Sequence, residues 1–376
     1  MIYLDNASTT YPKFNKLYDD TMKIYREVGI NFSRNNSRKS KSAYEIKNNL
    51  IVNLKKIFSS NAHKVIINSS ATFSLNEIIT GLNYPKIKTI YISPFEHNSV
   101  YRTLKKVQRE NGIDIEILKF NQFEIDENDM KLKFLSKKPD VVILTHASNV
   151  FGNILPAEKI FNVAKTYGAI TILDAAQTGG VLDFSLISKV SDFIVFAGHK
   201  NLYGPSGIGG YLFLNDVLIK PLIVGGTGIK SEEEDMPKEI PERYEAGSPN
   251  ILGMIGLEIA TTELLKIGIE NIYNKKMENL KLMYEILNDF KYDIKIHSQL
   301  KENIGIISVT GIAFSPKELE GILNEHGVSV RSGMQCAPLA HRHIGTEKTG
   351  TVRFSVGYFN EGGNFQRLRE ILEEVF

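Results

Sequence analysis

Five short apolar runs recur between residues 65 and 196: Val65-Ile66-Ile67-Asn68, Thr89-Ile90-Tyr91-Ile92, Val141-Val142-Ile143-Leu144, Thr171-Ile172-Leu173 and Phe193-Ile194-Val195-Phe196. Longer amphipathic stretches separate them. Apolar runs of this length, alternating with helical periodicity, argue for a mostly parallel sheet covered by helices. Such sheets bind ligands beyond the carboxyl ends of their strands, where Asn149, Asp174 and Lys200 all fall. At 376 residues the chain exceeds a comfortable single core, so a large and a smaller α/β domain are expected. The boundary is placed at Gly253, where a long helical stretch running from Ile255 to Leu287 begins, ahead of a second αβ region.

Charge and hydropathy exclude several classes of function. The net charge of +2 is small and lysines are interspersed with acids, so no nucleic-acid partner is expected. The densest basic cluster, Arg34, Arg38, Lys39 and Lys41, reads as a solvated loop or a site rim. No run approaches the roughly 20 apolar residues of a membrane span. Met1-Ile2-Tyr3-Leu4-Asp5 lacks the basic and apolar regions of a signal peptide, so a cytoplasmic location is expected. No metal site is expected either.

Lys200 sits in Gly198-His199-Lys200-Asn201-Leu202-Tyr203-Gly204-Pro205, just past a strand ending at Ala197. A lysine in a tight, dry turn is easily deprotonated and suited to forming a Schiff base with a carbonyl. Upstream, Ile170-Thr171-Ile172-Leu173-Asp174 delivers a carboxylate at a strand end. Pyridoxal phosphate needs such a carboxylate to keep its ring nitrogen protonated. Taken singly, Lys200 could be a solvated corner residue and Asp174 a helix cap; taken together they favour the cofactor site.

Asp174-Ala175-Ala176-Gln177, followed by Gly198-His199-Lys200 and Gly204-Pro205, resembles the class V aminotransferase family, in its cysteine desulfurase and selenocysteine lyase branch. The likeness also runs through Tyr3-Leu4-Asp5-Asn6-Ala7-Ser8-Thr9-Thr10, Ser69-Ser70-Ala71-Thr72, Glu96-His97-Asn98-Ser99 and Ser148-Asn149-Val150-Phe151-Gly152. It closes with Arg331-Ser332-Gly333-Met334-Gln335-Cys336-Ala337-Pro338 and Gly350-Thr351-Val352-Arg353-Phe354-Ser355. The resemblance implies a fold-type I pyridoxal-phosphate enzyme, with a large domain over 13–252 and a small domain made of 1–12 plus 253–376.

The resemblance also implies residue roles. Lys200 carries the cofactor and moves a proton from the substrate's α-carbon. His97 stacks on the ring, Asp174 meets its nitrogen, and Asn149 and Gln177 bond near its hydroxyl. Ala71, Thr72 and His199 hold the phosphate, and Arg353 grips the substrate carboxylate with Asn149 beside it. Thr227 reaches a neighbour's phosphate in a homodimer. One cysteine cannot form an intrachain disulfide, so Cys336 is buried filler, a bystander or a nucleophile. The resemblance makes it the group that attacks the sulfur of L-cysteine, leaving alanine and a persulfide that a sulfur-acceptor protein could receive. His97, His341 and Arg331 are candidates for ionising it.

Two departures stand out. Ala197 takes a position where the family usually has a serine or threonine touching the phosphate, and Ile30 to Arg38 lacks the glycine and histidine expected at the substrate entrance. Selenocysteine as a substrate, a class V transaminase or lyase acting on another amino acid, and a non-catalytic sulfur-relay scaffold therefore remain alternatives.

Overall fold

The computed structural model describes residues 1–30, 38–214 and 217–376, and of Arg38 the backbone alone. Arg34 of the basic cluster and most of the expected entrance segment lie outside the described residues. The apolar runs form a seven-stranded sheet in the order Lys64–Asn68, Gly209–Phe213, Phe193–Ala197, Ile170–Asp174, Val141–Thr145, Thr89–Ile92, Asp114–Ile117. Gly209–Phe213 runs antiparallel to both of its neighbours; the other pairings are parallel.

Every residue of Val141–Thr145 and of Phe193–Ala197 is buried, which is why these strands are apolar without alternation. Alternate side chains nonetheless serve opposite faces. Val141 and Ile143 pack with Leu75 and Ile79 of helix Ala71–Gly81 and with Val100 and Leu104 of helix Asn98–Asn111. Val142 and Leu144 belong to the core on the other face, with Leu50 and Leu54 of helix Arg38–Ile57 and Ile160 and Phe161 of helix Ala157–Thr166. Each such side chain contributes about 1.5–3 kcal/mol on full burial.

A second sheet of four antiparallel strands follows the order Ile294–Ile296, Ile306–Gly311, Thr351–Ser355, Arg331–Gly333. Its core joins Ile307, Val352 and Phe354 to Leu280, Leu319 and Leu368 from helices Ile269–Asp289, Pro316–Glu325 and Gly362–Val375. The start of the chain docks here: Ile2–Tyr3 pairs in parallel with Val328–Ser329, and Leu4 is fully buried.

The single helical stretch expected from Ile255 to Leu287 is instead two helices, Ile251–Ile267 and Ile269–Asp289. Gly268 lies between them at φ +93°, a backbone state open to glycine and unfavourable for other residues. Gly253 falls in the first turn of Ile251–Ile267, which packs along helices Asn15–Val28 and Arg38–Ile57. No helix among the described residues is long and apolar enough to cross a membrane.

Helix Ile269–Asp289 sends a buried lysine toward the large sheet. Lys276 Nζ donates to Asn201 Oδ1 at 2.8 Å, and Asn201 Nδ2 donates to the Gln177 carbonyl at 2.6 Å. Burial lowers the Lys276 amine to about 7. The unfolded chain therefore binds more protons than the folded one above that value, so this group's contribution to stability rises with pH toward the ordinary lysine range and is lost as pH falls through about 7. Urea midpoints measured from about pH 7 to 9 should climb more steeply for the intact protein than for Lys276→Met; equal slopes would mean that the folded state keeps the amine charged.

Candidate active site

The strands ending at Asn68, Ile92, Thr145, Asp174 and Ala197 all finish at one edge of the large sheet, and the loops that follow them build a cavity of about 220 Å³. Ala71, Thr72, His97, Asn149, Asp174, Gln177, His199, Lys200, Cys336 and Arg353 line it together. Thr227 does not. It lies in a separate exposed loop region, its hydroxyl donating to the Ile229 carbonyl at 3.2 Å.

Lys200 rides on a turn that closes on itself, with Gly204 N–H donating to the Gly198 carbonyl at 2.8 Å. A Cβ at Gly204 would meet Leu257 Cδ1 at 2.5 Å, so close packing rather than dihedral freedom calls for glycine there. The N-terminal segment grips the same turn. Thr9 and Thr10 hydroxyls reach the His199 carbonyl, Thr10 also donates to the Lys200 carbonyl at 2.9 Å, and Lys13 Nζ reaches the His199 carbonyl at 2.7 Å. Lys200 is half-buried and borders the cavity, and the protein packed around it desolvates its amine. Burial lowers it to about 8; Asp174 pulls it back up, while Arg353 and Arg331 push it further down. A usable fraction is thus the neutral, nucleophilic amine near pH 7.

Asp174 is 5 % exposed, and burial raises its carboxyl, opposed by the Ala176 N–H at 3.0 Å and by Lys200. A cation set beside it would offset that desolvation. His97 caps helix Asn98–Asn111, its Nδ1 accepting from Ser99 N–H at 3.0 Å. That bond leaves the ring proton on Nε2. Burial, followed by Lys200, lowers this imidazole to about 4, so it is neutral at physiological pH. Gln177 Nε2 donates to the Ala7 carbonyl at 2.9 Å, whereas its buried Oε1 has no protein partner.

An anion cradle lies at the start of helix Ala71–Gly81. The Ser70 side chain caps the Phe73 N–H, so the N–H groups of Ala71 and Thr72 remain for a ligand, at the positive end of the helix dipole. Strand Gly209–Phe213 approaches this terminus so closely that a Cβ at Gly209 would lie 2.9 Å from Ser70 C and 3.0 Å from Ala71 N. Ala197 borders the cavity without a hydroxyl, while Thr72 and Ser70 supply hydroxyls nearby.

Cys336 is exposed at the cavity on a turn where both it and Gln335 have positive φ, +60° and +38°. Such backbone costs roughly 1–3 kcal/mol per non-glycine residue. Arg353 is 2 % exposed. Its Nη2 donates to Asp5 Oδ1 at 2.6 Å and to Ser8 Oγ at 2.8 Å, its Nη1 donates to the Asn149 carbonyl at 2.8 Å, and its Nε has no protein partner. Arg331 Nη1 meets the same Ser8 hydroxyl at 3.0 Å. Asn149 spends its amide N–H on the Gln335 carbonyl at 2.6 Å. His341, a candidate for ionising the thiol, is fully buried behind Gln335.

Four contributors went unassigned from sequence. Ser8 joins two guanidinium groups, Lys13 holds the Lys200 turn, and Gln335 shapes the cysteine turn. Glu96 pins the His97 loop to the next strand, accepting from Ser93 Oγ at 2.5 Å and from Thr145 N–H at 2.9 Å; burial pushes its carboxyl up to about 8. Ser8, Glu96 and Gln335 lie inside recognised segments, but nothing in the order of residues distinguishes a buried acid or a bridging hydroxyl from its neighbours.

The aminotransferase class-V family model matches residues 2–368. The protein named "Probable cysteine desulfurase" in Pyrococcus abyssi is 30% identical over an alignment covering 100% of this chain and 94% of that protein. One of the same name from Methanothermobacter thermautotrophicus is 27% identical at the same coverage. Among solved structures, an apo cysteine desulfurase from Thermococcus onnurineus superposes with a TM-score of 0.90 at 27% identity, covering 100% of this chain and 94% of that one. A cysteine desulfurase from Escherichia coli shares the fold at a TM-score of 0.85 and 21% identity, covering 99% of this chain and 94% of the other. With a family model that matches nearly its whole length, the chain belongs to the class V aminotransferase family.

Proposed function

We propose that this protein is a pyridoxal-phosphate-dependent cysteine desulfurase, converting L-cysteine to L-alanine and holding the sulfur as a persulfide on Cys336. The observation that carries the reading is that Cys336, the chain's one cysteine, and Lys200 line the same cavity. The names of its full-length relatives support it.

The residues present fit the cofactor. The free N–H groups of Ala71 and Thr72 suit a phosphate, the buried Asp174 carboxylate wants a cationic partner such as a protonated ring nitrogen, and Gln177 keeps an unpartnered buried polar atom at the cavity. His97, His199, Asn149 and Lys200 complete the set. Bound pyridoxal phosphate supplies an electron sink for charge developing at the substrate's α-carbon.

Lys200, near neutrality because it is buried, can accept the α-proton and hand it on. Neutral His97 stays available as a flat stacking surface carrying one N–H. Arg353 holds the substrate carboxylate through the donor it has not committed to protein, beside Asn149. The Cys336 thiolate attacks the substrate sulfur: an S–S bond forms, the substrate's Cβ–S bond breaks, and the electron pair left on carbon takes up a proton to give alanine. The chain acts as a homodimer in which Thr227 serves the neighbour's phosphate. The exposed Leu218, Leu222, Ile223 and Val224 just before Thr227 support that pairing. An exposed Cys336 also suits delivery of sulfur to an acceptor protein, and a cytoplasmic setting suits its thiol chemistry.

With added pyridoxal phosphate and a reductant, the protein should release alanine from L-cysteine. Cys336→Ala should abolish that release yet keep the cofactor absorbance change on adding L-cysteine; alanine from neither protein would sink the reading, and amino-group exchange with a keto acid would replace it with a transaminase. Lys200→Ala should lose both alanine release and α-hydrogen exchange, and retention of exchange would assign the proton to another group. Arg353→Lys keeps the charge but removes the Nε donor, so the KM for L-cysteine should rise about 10- to 100-fold with a smaller change in kcat; an unchanged KM would remove Arg353 from substrate binding.

A further inference from the structure

Two successive left-handed residues, neither of them glycine, relax unless their surroundings hold them. The Gln335–Cys336 turn is held from both sheets. From the large one, Asn149 Nδ2 donates to the Gln335 carbonyl at 2.6 Å and Asn98 N–H to the Cys336 carbonyl at 2.7 Å. From the small one, the Gln335 side chain takes hold: its Nε2 donates to the Thr351 carbonyl at 2.9 Å and to the Arg331 carbonyl at 3.2 Å. Those two bonds orient the amide and turn its Oε1 to His341 Nε2, 3.1 Å away, with the Thr351 hydroxyl donating to the same oxygen at 3.4 Å.

His341 stands on helix Pro338–Ile344, fully buried and tilted against Phe151. An amide oxygen accepts only, so Nε2 carries the proton, and Nδ1 accepts from the Thr346 hydroxyl at 2.8 Å. Both nitrogens are therefore engaged away from the thiol. This imidazole is placed to act through Gln335, not on Cys336 directly.

Resting on the desulfurase reading, we propose that Gln335 and His341 are positioning residues for the nucleophile: the buried imidazole fixes the Gln335 amide, the amide fixes the left-handed turn, and the turn aims the Cys336 sulfur at the substrate's sulfur. Sulfur transfer depends on that aim, whereas removal of the α-proton depends on Lys200 alone. The two steps can be read separately.

The test compares holoenzymes of the intact protein, His341→Leu, His341→Gln and Gln335→Ala in two assays: alanine release from L-cysteine, and α-hydrogen exchange of L-alanine in D2O followed by NMR. In His341→Leu and Gln335→Ala, alanine release should fall about 100-fold, the cost of a displacement of about an ångström at a reacting group. Exchange should stay at the intact rate. His341→Gln, whose amide can donate to Gln335 and accept from Thr346, should recover most of the release. Release at the intact rate in both disruptive variants, or exchange falling in step with release, overturns the proposal. If His341→Leu does not fold, Gln335→Ala makes the same comparison with His341 in place. An intact holoenzyme that releases no alanine fails the desulfurase reading itself and takes this inference with it; unimpaired variants of an active enzyme fail the inference alone.

Discussion

The site depends on desolvation of the Lys200 amine by the protein packed around it. In water a lysine is almost wholly protonated at pH 7 and is neither nucleophile nor base, and here burial is the largest cause of its fall to about 8. That burial is collective. The His97 loop, the Cys336 turn and the N-terminal segment each wall part of the cavity. Asp174 would return the amine toward its ordinary value, and Arg353 and Arg331 counter it. A carboxylate can therefore sit in the same dry pocket without locking the lysine into a permanent ion pair.

Arg353 illustrates how a buried charge is tolerated without being used up. A bare guanidinium at 2 % exposure would be costly. Asp5, Ser8 and the Asn149 carbonyl accept from its two terminal nitrogens, while Nε stays unbonded. Asp5 and Ser8 come from the N-terminal segment and Asn149 from the large sheet's loops, so the arginine of the small sheet also ties three parts of the chain together. The Ser8 hydroxyl extends the tie to Arg331.

Much of this was legible in the residues. Uniformly apolar runs marked the parallel strands, and strand ends bearing Asp174 and Lys200 marked the site's edge, because both patterns follow from local burial. The break at Gly268 was hidden because the apolar periodicity continues across it, and a lone glycine inside a helical pattern does not declare its dihedral angle. Glu96, Ser8 and Gln335 were hidden for a different reason. Their roles are made by partners far along the chain, such as Thr145 for Glu96 and Arg353 for Ser8, and burial of a polar side chain leaves no trace in its own neighbourhood. Thr227 was readable only through likeness to the family, since its expected contact belongs to a second copy.

The N-terminal segment carries a consequence for assembly. Asn6 bonds to the Ser355 carbonyl 349 positions away, and Thr10 bonds to the Lys200 carbonyl 190 positions away. During synthesis, the residues that close the cavity emerge early and wait for partners made near the end. The cavity wall is complete only where Ala7 and Ser8 meet Arg331, Gln335, Cys336 and Arg353 around Lys200. The lowered amine is thus a property of the assembled fold, made by residues from both ends of the chain, and not of the Lys200 turn alone.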